Sequence, residues 1–272
     1  MQQNGMILQT GTKNKTVHVF SHLNRSRSYR EKTGAFAMEG YRLISDALVS
    51  GVKLRALLLT EKADAQFGKM LRQLAPDMHT LLLSDALAKE IADTETAQGV
   101  FAVADMRPES VIQPRHGDRC MLLHCIQDPS NLGAILRTAD ALGTDGLYLY
   151  QCCDLYNPKT IRSSMGALFR VPVRRIRDMA QFFTDCSAAA LPTCAAVVDR
   201  DAVPLGHYDF RSGAAVLIGN EGNGLPSEIS GACTEKLTIP MSPKSNSLNA
   251  AMAAGLFLWE MARAASEKPV CE

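Results

Sequence analysis

The chain has 272 residues, carries a formal net charge of +1, and is 46% hydrophobic and 21% charged. That length buries a core in one large domain or two moderate ones, and two is the starting expectation; the composition excludes disordered and fibrous classes. No run approaches the length of a bilayer span, so no membrane partner is expected.

The N-terminus lacks the apolar core and small-residue cleavage site of a secretory signal. Residues 1–30 contain no acid, which leaves organellar targeting as the alternative to the cytoplasmic location expected. Eight cysteines without paired CxxC spacing read as free thiols in a reducing compartment and argue against a zinc site.

The near-neutral total conceals an asymmetry. Residues 1–60 hold nine Lys or Arg against three acids, which either draws a polyanion to this end or makes a solvated basic tail. Residues 1–23 are expected to be a flexible segment. The run NRSRSYR at 24–30 sets Arg25, Arg27 and Arg30 around Tyr29, a combination that grips phosphate and stacks a base, or else simply starts an exposed helix. From Phe36, FAMEGYRLISDALVSG has helical spacing and ends at Gly51. A strand at 53–61, a helix at 65–74, a strand at 78–84, a helix at 84–93 capped by Ser84 and a strand at 99–106 follow. This alternation predicts a small α/β domain over 24–106, and two prolines mark 107–118 as a linker.

The second domain, 119–272, opens with an apolar strand at 120–126. In the helix after it, Leu132, Ile135, Leu136, Ala139 and Leu142 form one stripe, and Arg137 faces away with Gly133 and Asp140. Spacing alone reads Asn131 as a helix cap and Arg137 as a surface arginine. Further strands at 146–150, 171–176, 193–198, 214–218 and 236–241 complete a six-stranded, mostly parallel sheet flanked by helices. Ligands bind beyond the carboxyl ends of such strands, where Asn131, the loop 219–224 and residues 241–249 all fall. The loop, GNEGNG, offers backbone through Gly219, Gly222 and Gly224, with Glu221 its one charge. It has neither the P-loop signature nor the GxGxxG spacing, and Ser247 has no histidine near it in sequence, so phosphate-cradling, dinucleotide and hydrolase readings lose support. Arg174 and Arg175 in RVPVRRIR either extend an RNA surface or protect an edge strand.

Taken together, Asn131-x-Gly133-x-x-x-Arg137-Thr138-Ala139, then Gly219-Asn220-Glu221-Gly222-x-Gly224-Leu225, then Ile239-Pro240-Met241 with Ser247-Leu248-Asn249, resemble in order and spacing the three motifs of the SpoU (TrmH-like) RNA ribose methyltransferases. Residues 161–173 also look like that family, and residues 36–48 are similar to the start of the RNA-binding domain many members carry. The resemblance implies an α/β SPOUT catalytic domain with a deep trefoil knot, an exception to the rule that chains do not thread their own loops. It also implies a homodimer through the C-terminal domain and S-adenosylmethionine held in a bent conformation. Carried over by position, the backbone at Gly219, Ile239 and Leu248 and the side chain of Met241 would contact the cofactor. Asn131, Arg137, Glu221, Ser247 and Asn249 would surround the reacting groups. Arg25, Arg27, Arg30, Arg174 and Arg175 are the RNA-binding candidates.

The implied reaction moves the sulfonium methyl to a ribose 2′-hydroxyl, with rRNA ahead of tRNA as substrate and no metal needed, because the sulfonium is already a good leaving group. A guanidinium stays protonated, so Arg137 is read as holding phosphate and stabilising developing alkoxide charge, with the proton lost to water or to Glu221. Two competitors stand beside this. A non-catalytic RNA binder on the same fold would keep cofactor binding without turnover, and a small-molecule α/β enzyme would show no salt-dependent RNA affinity.

Overall fold

The computed structural model describes residues 7–9, 14–76, 78–242, 244 and 247–266. It divides into two compact units, Met1–Pro108 with Tyr156–Phe169, and Glu109–Leu155 with Arg170–Glu272. The division is not the contiguous one expected from sequence, because residues 156–169 belong with the first unit.

The first unit runs β1 (Ile7–Gln9), α1 (Lys15–Arg25), α2 (Arg27–Thr33), β2 (Ala35–Glu39), α3 (Tyr41–Val49), β3 (Leu54–Thr60), α4 (Glu61–Ala63), α5 (Lys69–Leu74), β4 (Thr80–Leu83), α6 (Asp85–Ile91) and β5 (Val100–Asp105). Its five strands lie in the order β1-β4-β3-β5-β2, with β5 antiparallel to both neighbours. Two expectations are corrected. Within 1–23, read as flexible, β1 pairs with β4, and α1 begins at an Asn14 cap whose Oδ1 accepts from the Thr16 N–H at 2.8 Å. Val17, Phe20 and Leu23 of that helix are fully buried, Phe20 edge-on to Phe101 with centroids 5.4 Å apart. Burial of such side chains contributes roughly 1.5–3 kcal/mol each, enough to hold the helix down. Second, the helix expected from Phe36 starts only at Tyr41. Ala35, Phe36, Ala37 and Met38 are all buried in β2, and Gly40 breaks strand from helix at φ 102°. A short apolar run next to a helical pattern shares its spacing, and here the buried strand wins.

The second unit and its inserted segment run β6 (Arg119–His124), α7 (Pro129–Leu142), β7 (Gly146–Tyr150), α8 (Pro158–Ser164, within the first unit's 156–169), β8 (Val173–Ile176), α9 (Met179–Ala188), β9 (Thr193–Ala196), β10 (Val203–Pro204), β11 (Ala214–Ile218), α10 (Ser227–Ala232), β12 (Glu235–Thr238) and α11 (Ala250–Ser266). Seven strands form one sheet in the order β10-β12-β9-β11-β6-β7-β8, every pairing parallel. The strand beyond the six expected is β10, two residues at the edge and too short to signal itself. All five residues of β11 are buried, as a parallel strand covered on both faces requires. The carboxyl ends of β6, β11, β9 and β12 therefore stand side by side, and the loops leaving them meet at one rim of the sheet. Helix α11 closes that side by packing Ala254, Phe257, Leu258 and Met261 inward, in contact with α7 and β11.

Candidate active site

The rim is assembled by polar side chains that the sequence brings to strand ends. After β6, Cys125 takes φ 58° and turns the chain toward α7. Asp128 caps that helix, its Oδ1 accepting from the Ser130 N–H at 2.9 Å, and Pro129 occupies the first turn, where its missing N–H costs nothing. Asn131 follows in the same turn and is buried.

After β11 the glycine-rich loop closes on itself. Asn220 and Gly224 exchange both backbone bonds, at 3.0 and 2.9 Å. A Cβ at Gly219 would lie 2.1 Å from the Gly224 carbonyl carbon, so only glycine lets the loop double back so tightly. The Asn220 side chain organises the turn from within: Oδ1 accepts from the Gly222 and Asn223 N–H groups at 2.9 and 3.2 Å, and Nδ2 donates to the Cys125 carbonyl at 2.8 Å. Sequence reasoning left Asn220 out of the site, although an Asn two residues before a Gly in a strand-ending loop is the signal for such a turn.

That closure carries Glu221 to the start of α7. Its carboxylate accepts from Asn131 Nδ2 at 3.0 Å, and from the Gln127 N–H, the Asp128 N–H and Asn220 Nδ2 at 3.3 Å each. Desolvation opposes the charge, but the bond from Asn131 and those from backbone N–H groups outweigh it, and the Glu221 pKa sits below its ordinary value. Asn131 Oδ1 in turn accepts from Asn249 Nδ2 at 3.0 Å, and Asn249 Oδ1 caps α11 by accepting from the Ala251 N–H at 2.9 Å. Three residues from three separate segments, the first turn of α7, the loop after β11 and the start of α11, thus form one hydrogen-bonded row, Asn249 to Asn131 to Glu221.

Beside the row lies a cleft of about 540 Å³ whose walls include Gly219, Ile239, Met241, Ser247 and Leu248, with Phe257 behind them. Glu221 also lines it, together with Asp199 and Lys236. All four residues expected to touch a cofactor therefore face a single cavity. Arg137 does not line it; it is exposed on α7 and makes no hydrogen bond or ion pair among the described residues.

The basic candidates separate. Arg25 and Arg27 are exposed, Arg27 in an ion pair with Glu31 at 2.8 Å. Arg30 is corrected: it is 3% exposed and its guanidinium donates to the Leu23 and Asn24 carbonyls, so it satisfies the end of α1 instead of facing a ligand. Arg174 is half-buried and donates to the Ile112 carbonyl at 2.8 Å, and Arg175 pairs with Glu109 at 2.9 Å. Both fasten the 109–112 stretch to the edge strand β8. Among the described residues no cluster of three metal-ligating side chains occurs, and no helix is long and apolar enough to cross a membrane.

Comparison with known proteins places this geometry. Residues 118–259 match the SpoU rRNA Methylase family, and residues 14–102 match the MRM3-like substrate binding domain. The chain is 28% identical to the Bacillus subtilis 23S rRNA (guanosine(2553)-2′-O)-methyltransferase RlmP, over 92% of this chain and 96% of that protein. It is 32% identical to a 23S rRNA (uridine(2479)-2′-O)-methyltransferase of Streptomyces viridochromogenes, over 88% and 86%. A crystal structure of an AdoMet-bound rRNA methyltransferase from Sinorhizobium meliloti superposes with a TM-score of 0.85 at 28% identity, covering 95% of this chain and 98% of that one. With its catalytic unit matched over more than half the chain, the protein belongs to the SpoU rRNA methylase family.

Proposed function

We propose that the protein transfers a methyl group from S-adenosylmethionine to a ribose 2′-hydroxyl of ribosomal RNA. The observation that carries this is the Asn249–Asn131–Glu221 row, which ties the first family motif to a cleft walled by the second and third. The rRNA substrates of the relatives favour rRNA over tRNA and a cytoplasmic setting.

The cleft suits the cofactor. Its volume is that of a small-molecule site. Gly219 and Leu248 would offer backbone to the cofactor, Met241 and Ile239 would give it apolar surface, and the Glu221 carboxylate would favour a nearby cation. The cofactor supplies an electrophilic methyl on a positively charged sulfur. The chain's residues do the rest. Asn131 and Asn249 hold Glu221 and the start of α11 in register, Ser247 lines the cleft beside Leu248, and exposed Arg137 is placed to grip an RNA phosphate and stabilise charge growing on the 2′-oxygen.

Helix α11 leaves Met252 62% and Trp259 55% exposed, with Leu256 between them at helical spacing. This apolar stripe supports a homodimer through the C-terminal unit, which would split into monomers in sedimentation of a Met252→Glu, Trp259→Glu variant. The family's trefoil knot is part of the same reading. It is supported by a sheet order that puts β12 between β9 and β10 while the chain after it returns to pack α11 on α7. Arg25 and Arg27 belong to the proposed RNA surface of the first unit, and the engaged Arg174 and Arg175 add charge at the edge of the second.

The test is transfer of labelled methyl from S-adenosylmethionine into total RNA from cells lacking the protein, with rRNA and tRNA separated before counting. Label at a 2′-O position in rRNA, absent with Arg137→Ala, is the expected result. Label in tRNA would overturn the substrate, and cofactor binding with no label in any RNA would favour the non-catalytic binder.

A further inference from the structure

A second cavity, of about 400 Å³, lies within the first unit at the junction of β2, α3 and the end of α8. Gly40, at φ 102°, leaves α3 without a side-chain cap of its own, and Gln98 supplies one from the loop before β5: its Oε1 accepts from the Tyr41 N–H at 3.0 Å. That bond settles which end of the amide points where. The acceptor is spent on the helix and the Nε2 donor is left without a partner among the described residues. Arg42, one residue on, is exposed and likewise has no hydrogen bond or ion pair among them. Of the carboxylates nearby, Glu39 is consumed by the Asp93 N–H and the Thr94 hydroxyl, and Asp93 by Arg162; Asp46, a turn along α3, is the one unspent. The walls are the Tyr41 ring, braced face to face on Phe67 at 4.4 Å, and the thioether of Met165, 51% exposed at φ 49°.

An aromatic and a thioether wall, an unspent amide donor and an unpaired guanidinium describe a receptor for one unstacked nucleobase with its phosphate. We propose that this cavity binds a single-stranded keto base, uracil or guanine, of the RNA substrate, with Gln98 Nε2 donating to the base carbonyl and Arg42 holding the adjoining phosphate. An amino base would turn its own N–H₂ toward the Gln98 donor and leave both unpaired. The inference deepens the reading of the chain as an RNA methyltransferase by giving the first unit a base preference separate from the catalytic cleft.

Uridine and cytidine oligomers of about 12 nucleotides differ at the carbonyl in question and fit the footprint of a single-strand site. Their affinities, measured by fluorescence anisotropy on the full chain, are expected to favour uridine by about fivefold, the ratio one hydrogen bond supplies. Gln98→Glu keeps the acceptor for the Tyr41 N–H, replaces the donor by a second acceptor and adds a negative charge that weakens both oligomers alike, so the helix cap survives and the preference between the two should vanish or invert toward cytidine. Arg42→Ala should weaken both oligomers alike and lower the salt slope by about 0.7. Equal affinities in the wild type, a uridine preference surviving Gln98→Glu, or an unaltered salt slope with Arg42→Ala would each overturn the proposal. Methyl transfer is scored separately: an active enzyme without the uridine preference refutes this site alone, and a uridine-preferring protein without methyl transfer supports the site while refuting the catalytic reading.

Discussion

Replacing Asn131 and Asn249 by alanine, singly and together, measures the hydrogen-bonded row beside the proposed active site. Asn131 makes two bonds, a neutral one from Asn249 and one to the Glu221 carboxylate. A net contribution of roughly 0.5–1.5 kcal/mol for the first and 1.5–3 for the second puts the loss on Asn131→Ala at about 2–4 kcal/mol. Asn249→Ala loses the neutral bond and the cap on the Ala251 N–H, about 1.5–2.5 kcal/mol together. Because one bond is counted in both, the double variant should fall short of the sum by about 1 kcal/mol. Urea unfolding followed through Trp259, the chain's single tryptophan and a residue of α11, reports on this unit. Additivity within about 0.5 kcal/mol would falsify the coupling and reduce the row to three independent contacts.

Three further outcomes follow, two from the first unit and one from the second. Arg30→Ala should destabilise the first unit by about 2–4 kcal/mol, since it orphans the buried Leu23 carbonyl and opens a gap, while leaving the salt dependence of RNA binding unchanged. Arg25→Ala should do the reverse, and an unaltered salt slope there would remove α1 from the RNA surface. For Glu221 the folded pKa is depressed, so its contribution to stability is fully present above the ordinary value near 4.5 and is lost as pH falls through the folded value. Acid titration of stability should therefore flatten in Glu221→Gln, and an acid limb as steep as the wild type's would show that the donors around Glu221 do not favour its charge.

How much of this could be read from the chain depends on what kind of signal each part leaves. The central strands β6 and β11 were plain, because a parallel strand buried on both faces writes itself as an uninterrupted apolar run. The convergence of Asn131 and Glu221 followed from the rule that such sheets present their sites at strand ends. Three things were hidden. Strand β2 shares its apolar spacing with the helix that follows, and only antiparallel pairing with β5 separates them. Arg30 reads as one more surface charge, and nothing local says that two carbonyls at the end of α1 need it. The joining of residues 156–169 to the first unit is a long-range fact carried by contacts such as Phe36 with Tyr156, centroids 4.8 Å apart, which no window of sequence contains.

The site as built is better at holding charge than at taking a proton, and this bears on how the 2′-hydroxyl is activated. Methyl transfer breaks a carbon–sulfur bond, forms a carbon–oxygen bond and releases the hydroxyl proton. Glu221 is a poor acceptor for that proton: four donors already address its carboxylate and its pKa lies below the ordinary value. Arg137 is a cation, and the described residues lining the cleft include no histidine. In the proposed mechanism the remaining acceptor is water, with the proton leaving late and Arg137 stabilising the oxygen as charge develops on it. On this account the single-turnover rate on rRNA is flat across the carboxylate range, with no titrating base to bend it, and Glu221→Gln lowers the rate at every pH without changing the profile's shape. A break that Glu221→Gln abolishes would make Glu221 the base and refute the argument from its hydrogen bonds.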